Sequence, residues 1–156
     1  MQTLLALLSS TQEGTLIAVC VRPGDGRRTF SIALANELTR QGETVAYYSY
    51  SKSPTRLEST LVAPQSKDVP HTGIWILDDL TAGATVLTLA DVNCTKIALL
   101  SRLREIAHER GLKIVVTDTH SRYTDRRLPI PDAGLALCDG VYERCKEGIA
   151  PLCPPR

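Results

Sequence analysis

Aromatic side chains are scarce in this sequence of 156 residues, which holds one Phe, one Trp and five Tyr. Seven rings leave few platforms for stacking bases, the main device of single-strand nucleic-acid binders. Neither sign of charge dominates. Lys and Arg number 18 against 17 Asp and Glu, split 7 against 7 over residues 1–78 and 11 against 10 over 79–156. Neither half is a polycation, so composition does not point to strong non-specific binding of nucleic acid. No apolar run approaches the roughly 18 residues needed to span a bilayer. The leader Met1-Gln-Thr-Leu-Leu-Ala-Leu-Leu lacks the basic n-region of a secretory signal. Five cysteines, an odd number with no C-x-x-C pair, favour a reducing, cytoplasmic setting. Cys138, Cys145 and Cys153 with His120 fit no standard zinc finger, and buried or free thiols are the plainer reading.

What is present is enough for one domain. The chain is 43% hydrophobic, and a domain of this size buries about 68–70% of its unfolded surface. No repeats, low-complexity tracts or linkers divide it. One domain is expected over residues 1–156, with a leader helix in 1–14 and an irregular, proline-rich tail over 150–156.

Leu16-Ile-Ala-Val-Cys-Val21 is a continuous apolar run, the habit of a parallel strand covered on both faces. It ends in the turn Arg22-Pro-Gly-Asp-Gly26. A helix is expected from Thr29 to Gln41, with Phe30, Ala33, Leu34 and Leu38 inward and Gly42 as the stop. Thr44–Tyr50 reads as a second strand, and Ser53-Pro54 as the start of a short helix through Leu61. Ile74–Asp78 is a third buried strand ending on the acidic pair Asp78-Asp79. Gly83–Asn93 shows no clear period. Lys96–Arg110 is the best helix, closed by Gly111. Leu112–Thr117 is a fourth strand, and Asp118–Asp132 a polar loop. Asp139-Gly140 reads as a hairpin turn between strands Ala133–Cys138 and Val141–Cys145. Strands alternating with helices argue for an α/β layered domain with a mainly parallel sheet. Ligands of such sheets bind beyond the carboxyl ends of the strands.

Three motifs lie at those ends. A loop that wraps a phosphate needs glycines, so that backbone N–H groups converge, and a helix N-terminus facing the anion. Gly24, Asp25, Gly26, Arg27, Arg28 and Thr29 meet both needs. Against G-x-x-x-x-G-K-[ST], Gly26 fills the second glycine place, Val21 the first, Arg27 the lysine place and Arg28 the hydroxyl place. Thr29 carries a hydroxyl one position late. A plain strand-to-helix turn fits the same residues. Asp78, an acid ending a buried strand, sits as a Mg²⁺-holding carboxylate does in P-loop enzymes, and also as many strand ends do. Thr117-Asp-Thr-His-Ser-Arg122 gathers Asp118, His120 and Arg122. Arg122, Arg126 and Arg127 are candidates for phosphate or nucleic-acid contact, though Asp118, Asp125 and Asp132 nearly cancel them and a solvated loop is the simpler account.

In this order the pieces resemble the RecA-like motor domain of the DnaB-type replicative helicases, P-loop ATPases to which KaiC and RecA are more distantly similar. The likeness runs from about Leu16 to Glu147. Arg22-Pro-Gly-Asp-Gly26 is similar to that family's A-R-P-x-M-G turn, and Val45-Ala-Tyr-Tyr-Ser-Tyr-Ser-Lys-Ser53 to its F-F-S-L-E-M-S strand. Trp75-Ile-Leu-Asp-Asp-Leu80 resembles I-I-D-Y-L, and the strand ending in Thr119-His-Ser-Arg122 resembles the one ending in S-Q-L-S-R. The resemblance implies a RecA-like three-layer α/β/α sandwich with a C-terminal β-hairpin, and ATP with Mg²⁺ as cofactors.

The departures matter more. By this resemblance the catalytic lysine falls on Arg27, the Mg²⁺-binding Thr on Arg28, the water-activating glutamate on Ser51 and the later glutamine on Thr119. Only Asp78 is kept. The chain is expected to lack the family's N-terminal domain, its later strands and its finger-bearing segment. Loss of a general base typically removes 10²–10⁴-fold in rate, and arginine for lysine is not conservative at a tight site. The expectation is a degenerate, non-hydrolysing relative with ATP/Mg²⁺ binding weakened or lost. It would act as a binding or regulatory module in replication or recombination, associating with a RecA-like helicase, a recombinase or copies of itself. Two readings compete. One is a divergent ATPase or small P-loop phosphotransferase using Arg27, Thr29 and Asp78. The other is a single-stranded DNA binder using Arg122, Arg126, Arg127 and the Tyr47/Tyr48/Tyr50 strand.

Overall fold

The structure is a computed structural model that describes residues 2–51, 73–87, 91–119 and 128–152. The apolar leader forms a helix, α1 (Gln2–Ser10), with Leu4, Leu5 and Leu8 buried on the protein's own core. The β-branched run forms β1 (Thr15–Val21), buried along its whole length. After the glycine turn comes α2 (Arg27–Arg40), then the strands β2 (Val45–Ser49) and β3 (Ile74–Asp78). Helices α3 (Leu80–Leu87) and α4 (Val92–Arg110) lead to β4 (Lys113–Thr119). A one-turn helix, α5 (Asp132–Leu135), precedes β5 (Gly140–Cys145) and β6 (Gly148–Pro151).

The six strands form one sheet in the order β2-β3-β4-β1-β5-β6, parallel throughout except for the antiparallel pair β5–β6. Alternation along the strands divides the apolar residues between two cores. Ile17, Val19, Val21, Ile74, Ile76 and Val115 face α1 and α2, meeting Leu4, Leu8, Phe30, Leu34 and Leu38. Leu16, Ala18, Cys20, Trp75, Leu77, Ile114 and Val116 face α3, α4 and α5. The result is the expected α/β/α sandwich with a mainly parallel sheet and a C-terminal hairpin. Among the described residues no helix is long and apolar enough to cross a membrane.

Several local expectations are corrected. The hairpin is built from β5 and β6, with Cys145 opposite Gly148 across Lys146-Glu147. Asp139-Gly140 is not its turn. Asp139 instead ties the start of β5 to β1: Leu16 N donates to its side chain at 2.9 Å and Asp139 N donates to Leu16 O at 2.8 Å. Residues 133–135, the start of the expected strand Ala133–Cys138, are instead helical together with Asp132, and the buried Gly134 lets this turn approach Leu100 of α4 closely. The tail expected to be irregular from Ala150 begins with Ala150 and Pro151 still paired in β6. Helix α2 starts at Arg27 rather than Thr29, and Ala35 is buried where Ala33 was expected, Ala33 being exposed. Helix α4 starts earlier because Asp91 caps it, accepting from Asn93 N at 2.9 Å and Cys94 N at 3.3 Å. Strand β4 runs through Asp118 and Thr119, which the polar-loop reading had placed outside it. The helix expected at Ser53–Leu61 lies outside the described residues.

Candidate functional site

The site begins with the pleat. Ser49, Asp78 and Thr117 are in register across β2, β3 and β4, and Asp78 lies on the face that packs against α2. The Asp78 carboxylate is fully buried. A buried carboxylate is stable only when paired and hydrogen-bonded. Its Oδ1 accepts from Ser31 Oγ at 2.9 Å, Thr117 Oγ1 at 2.7 Å and Arg27 Nε at 3.0 Å. Tyr47 OH stands 3.5 Å from Oδ2. Burial, and then the Asp78 charge, raise the Tyr47 phenol above its ordinary pKa.

Arg27 reaches Asp78 because of the glycine turn. Gly26 holds left-handed backbone (φ 69°, ψ 56°) as the residue before α2, a conformation that disfavours any side chain there. The first residue of the helix can then turn back over the strand ends. The rest of the guanidinium is also committed: Nη1 donates to Thr119 Oγ1 at 2.9 Å and Nη2 to Asp79 Oδ2 at 3.0 Å. Asp79 has left-handed backbone at φ 73°, the one non-glycine residue among those described to do so. Its other oxygen accepts from Ala82 N at 3.2 Å, at the start of α3. Backbone strain of this kind persists only where the surroundings over-determine it. One planar fork thus joins α2, β3, β4 and the entry to α3, in a geometry that lysine cannot reproduce.

Gly26 and Asp78 therefore meet at one edge through Arg27. Around the turn, Gly24, Gly26, Arg28 and Thr29 are exposed, Asp25 is half-buried, and the N-terminus of α2 has no side-chain cap. Arg28 Nη2 donates to Ser51 Oγ at 3.2 Å, and Ser51 shares a hydrogen bond with Ser49 at 3.0 Å. A neutral hydroxyl at Ser51 does not deprotonate water near neutral pH. Arg122, Arg126, Arg127 and His120 lie outside the described residues. Tyr50 is fully buried and packs edge-to-face with Tyr48 at 5.5 Å, so these two rings serve packing here. Cys138 and Cys145 are free thiols donating to Gly134 O and Gly148 O, and Cys153 lies outside the described residues.

Magnesium demands near-octahedral oxygen coordination at about 2.0–2.1 Å. As arranged, the donor set meets a guanidinium instead. Asp78 Oδ1 already takes three donors, and an arginine holds the place where the resemblance expects a metal-binding hydroxyl. Among the described residues no group of three or more His, Cys, Asp or Glu side chains could hold a metal ion.

A second buried ion pair lies on the opposite face. Lys96 of α4 sits 2.8 Å from Asp118 Oδ2, with side-chain exposures of 6% and 1%. Lys96 Nζ also donates to Pro129 O at 2.7 Å. Asp118 Oδ1 accepts from Thr81 Oγ1 at 2.7 Å, Thr81 N at 3.2 Å and Thr119 N at 3.1 Å. Sequence reasoning gave no role to Lys96, Ser31 or Thr81, and named Thr117 only as the first residue of the polar motif Thr117–Arg122. The available signal was Ser31 standing one helical turn after Arg27, and Thr117 standing two residues beyond an inward Val115.

No family model matches the chain, and no curated protein matches it. Solved structures do. The flagellar accessory protein FlaH from Methanocaldococcus jannaschii aligns at 12% identity and TM-score 0.60, over 90% of this chain and 76% of that one. A KaiC-like protein from Pyrococcus horikoshii aligns at 16% identity and TM-score 0.55, over 84% and 72%. A DnaB-like replicative helicase, solved with its interactions with primase, aligns at 9% identity and TM-score 0.55, over 85% of this chain and 47% of that one. At these identities the likeness is one of architecture: the chain has a RecA-like α/β/α fold, with the glycine turn and Asp78 brought together at the carboxyl edge of its sheet.

Proposed function

We propose that this chain is a RecA-fold binding or regulatory module that does not hydrolyse ATP. It would work beside a RecA-like helicase or recombinase, or with copies of itself, in DNA replication or recombination. The observation that carries this reading is the Arg27 guanidinium, held between Asp78, Asp79 and Thr119. It stands where a P-loop enzyme needs a mobile lysine facing phosphate, and it engages the acid such an enzyme reserves for magnesium. Ser51, at the place of the water-activating carboxylate, adds a second deficit, typically worth 10²–10⁴-fold. The exposed turn Gly24–Thr29 keeps backbone N–H groups and Arg28 for a phosphate, so weak anion binding is compatible with this reading. Likeness to a DnaB-like helicase supports the replication setting.

Phosphate release from Mg²⁺-ATP, measured beside calorimetry with ATP in the presence and absence of Mg²⁺, tests the proposal. The expected result is no release above the protein-free rate and weak, Mg²⁺-insensitive binding. Release that disappears in Asp78→Asn would overturn it in favour of a divergent ATPase.

A further inference from the structure

Resting on that reading and deepening it, we propose that Arg27 is a resident cation that takes the place of a divalent metal ion at this strand end. Whatever the glycine turn binds is then independent of metal, and removal of the guanidinium opens the Asp78–Asp79 pair to a divalent cation. A single guanidinium bridges carboxylates on successive residues, 3.0 Å from Asp78 Oδ1 and 3.0 Å from Asp79 Oδ2. Successive residues of an extended strand point to opposite faces. Both acids reach one cation here because the backbone at Asp79 turns left-handed at φ 73°. That conformation places a second negative charge beside a carboxylate that is already 0% exposed. Two acids so close are stable together only around a positive charge, and Arg27 is that charge.

Bound cation, two converging carboxylates and two adjacent hydroxyls, Thr117 and Thr119, have the chemistry of a hard-cation site with oxygen ligands. The guanidinium fills it at 18% exposure, and its like charge repels any metal ion approaching the same oxygens. Lysine in this position would deliver a point charge to one carboxylate. The arginine fork serves both acids and Thr119 at once.

The test is a Mn²⁺ titration followed by electron paramagnetic resonance and by thermal melting. It uses the full chain, Arg27→Ala, Arg27→Gln and the double variant Arg27→Ala/Asp78→Asn. The full chain is expected to leave Mn²⁺ free up to about 1 mM, the weak end of protein sites for hard cations, with an unmoved melting midpoint. Arg27→Ala and Arg27→Gln are expected to melt lower, to bind Mn²⁺ stoichiometrically and to regain midpoint as Mn²⁺ is added. The double variant should lose that response. Should the single variants fail to fold in chelator, refolding with Mn²⁺ against EDTA reads the same point: recovery only with Mn²⁺ supports the proposal, and recovery in neither overturns it. Stoichiometric Mn²⁺ binding by the full chain, or folded single variants indifferent to Mn²⁺, also overturns it. Phosphate release from ATP breaks the non-hydrolysing reading, whereas metal binding by the full chain without such release breaks this inference alone.

Discussion

Asp78 and Asp118 lie at the carboxyl ends of adjacent parallel strands and face opposite sides of the sheet. Asp78 is in register with Thr117, so Asp118 stands one residue further along and the pleat turns it to the other face. Each acid is buried, at 0% and 1% exposure, and each receives a cation from the helix covering its own face. Arg27 of α2 serves Asp78, and Lys96 of α4 serves Asp118. The sheet edge is therefore held from both sides by buried charge.

Lys96→Ala leaves Asp118 buried without its cation and is expected to cost about 3–5 kcal/mol, read by urea denaturation. Replacing the pair with Lys96→Met and Asp118→Leu together should come closer to the parent than either single change. A loss below about 1 kcal/mol for Lys96→Ala, the worth of an exposed pair, would show that water still reaches the pair.

The two ends of the Arg27–Asp78 contact should respond unequally. Asp78→Ala leaves Arg27 with Asp79 Oδ2, Thr119 Oγ1 and 18% exposure, and its expected cost is about 1–2 kcal/mol. Arg27→Ala leaves a carboxylate at 0% exposure held by hydroxyls alone, and its expected cost is about 3 kcal/mol. Denaturation curves in metal-free buffer that reverse this order would contradict the assigned burial.

Alkali should weaken the fold through its thiols. Burial first, then the nearby Asp118 charge, push Cys20 up to about 12, and burial likewise pushes Cys138 to about 12. In the unfolded chain both titrate near the ordinary value of 9.0. Above that value the unfolded state binds fewer protons than the folded state, so stability falls as pH rises from about 9 toward 12. Tyr50, raised by burial, acts in the same direction. Urea denaturation at several pH values checks this, and Cys20→Ala should flatten the slope. An unchanged slope in that variant would place the effect elsewhere.

Gly83 of α3 packs against the buried ring of Tyr50. A Cβ at this position would stand 2.9–3.1 Å from the ring carbons, closer than van der Waals contact allows. Gly83→Ala should destabilise by about 1–3 kcal/mol. Its combination with Tyr50→Leu should cost less than the sum of the single changes, measured by thermal melting.

Much of this was legible along the chain. Leu16–Val21 and Ile74–Asp78 read as buried strands because unbroken apolar runs have few other uses, and Gly111 marked the end of α4 at a position that is left-handed in the structure. The order of glycine turn, acid-ended strand and polar-ended strand led to the RecA-like fold. The hairpin was misplaced because Asp139-Gly140 carries the commonest turn signal, whereas the true turn, Lys146-Glu147, carries none. Asp118 and Thr119 looked like loop because polarity was read without the partners that satisfy it.

The linear order of residues was enough to establish the layered architecture, the glycine turn before α2 and the place of Arg27 directly after that turn, since these are properties of neighbours along the backbone. The direction in which Arg27 points, the burial of Asp78 and the pairing of Lys96 with Asp118 emerged only on folding. The two ion pairs join residues 51 and 22 positions apart, each pair on its own face of the sheet, and a charge finds its partner across such distances only when parallel register and pleat bring the two together.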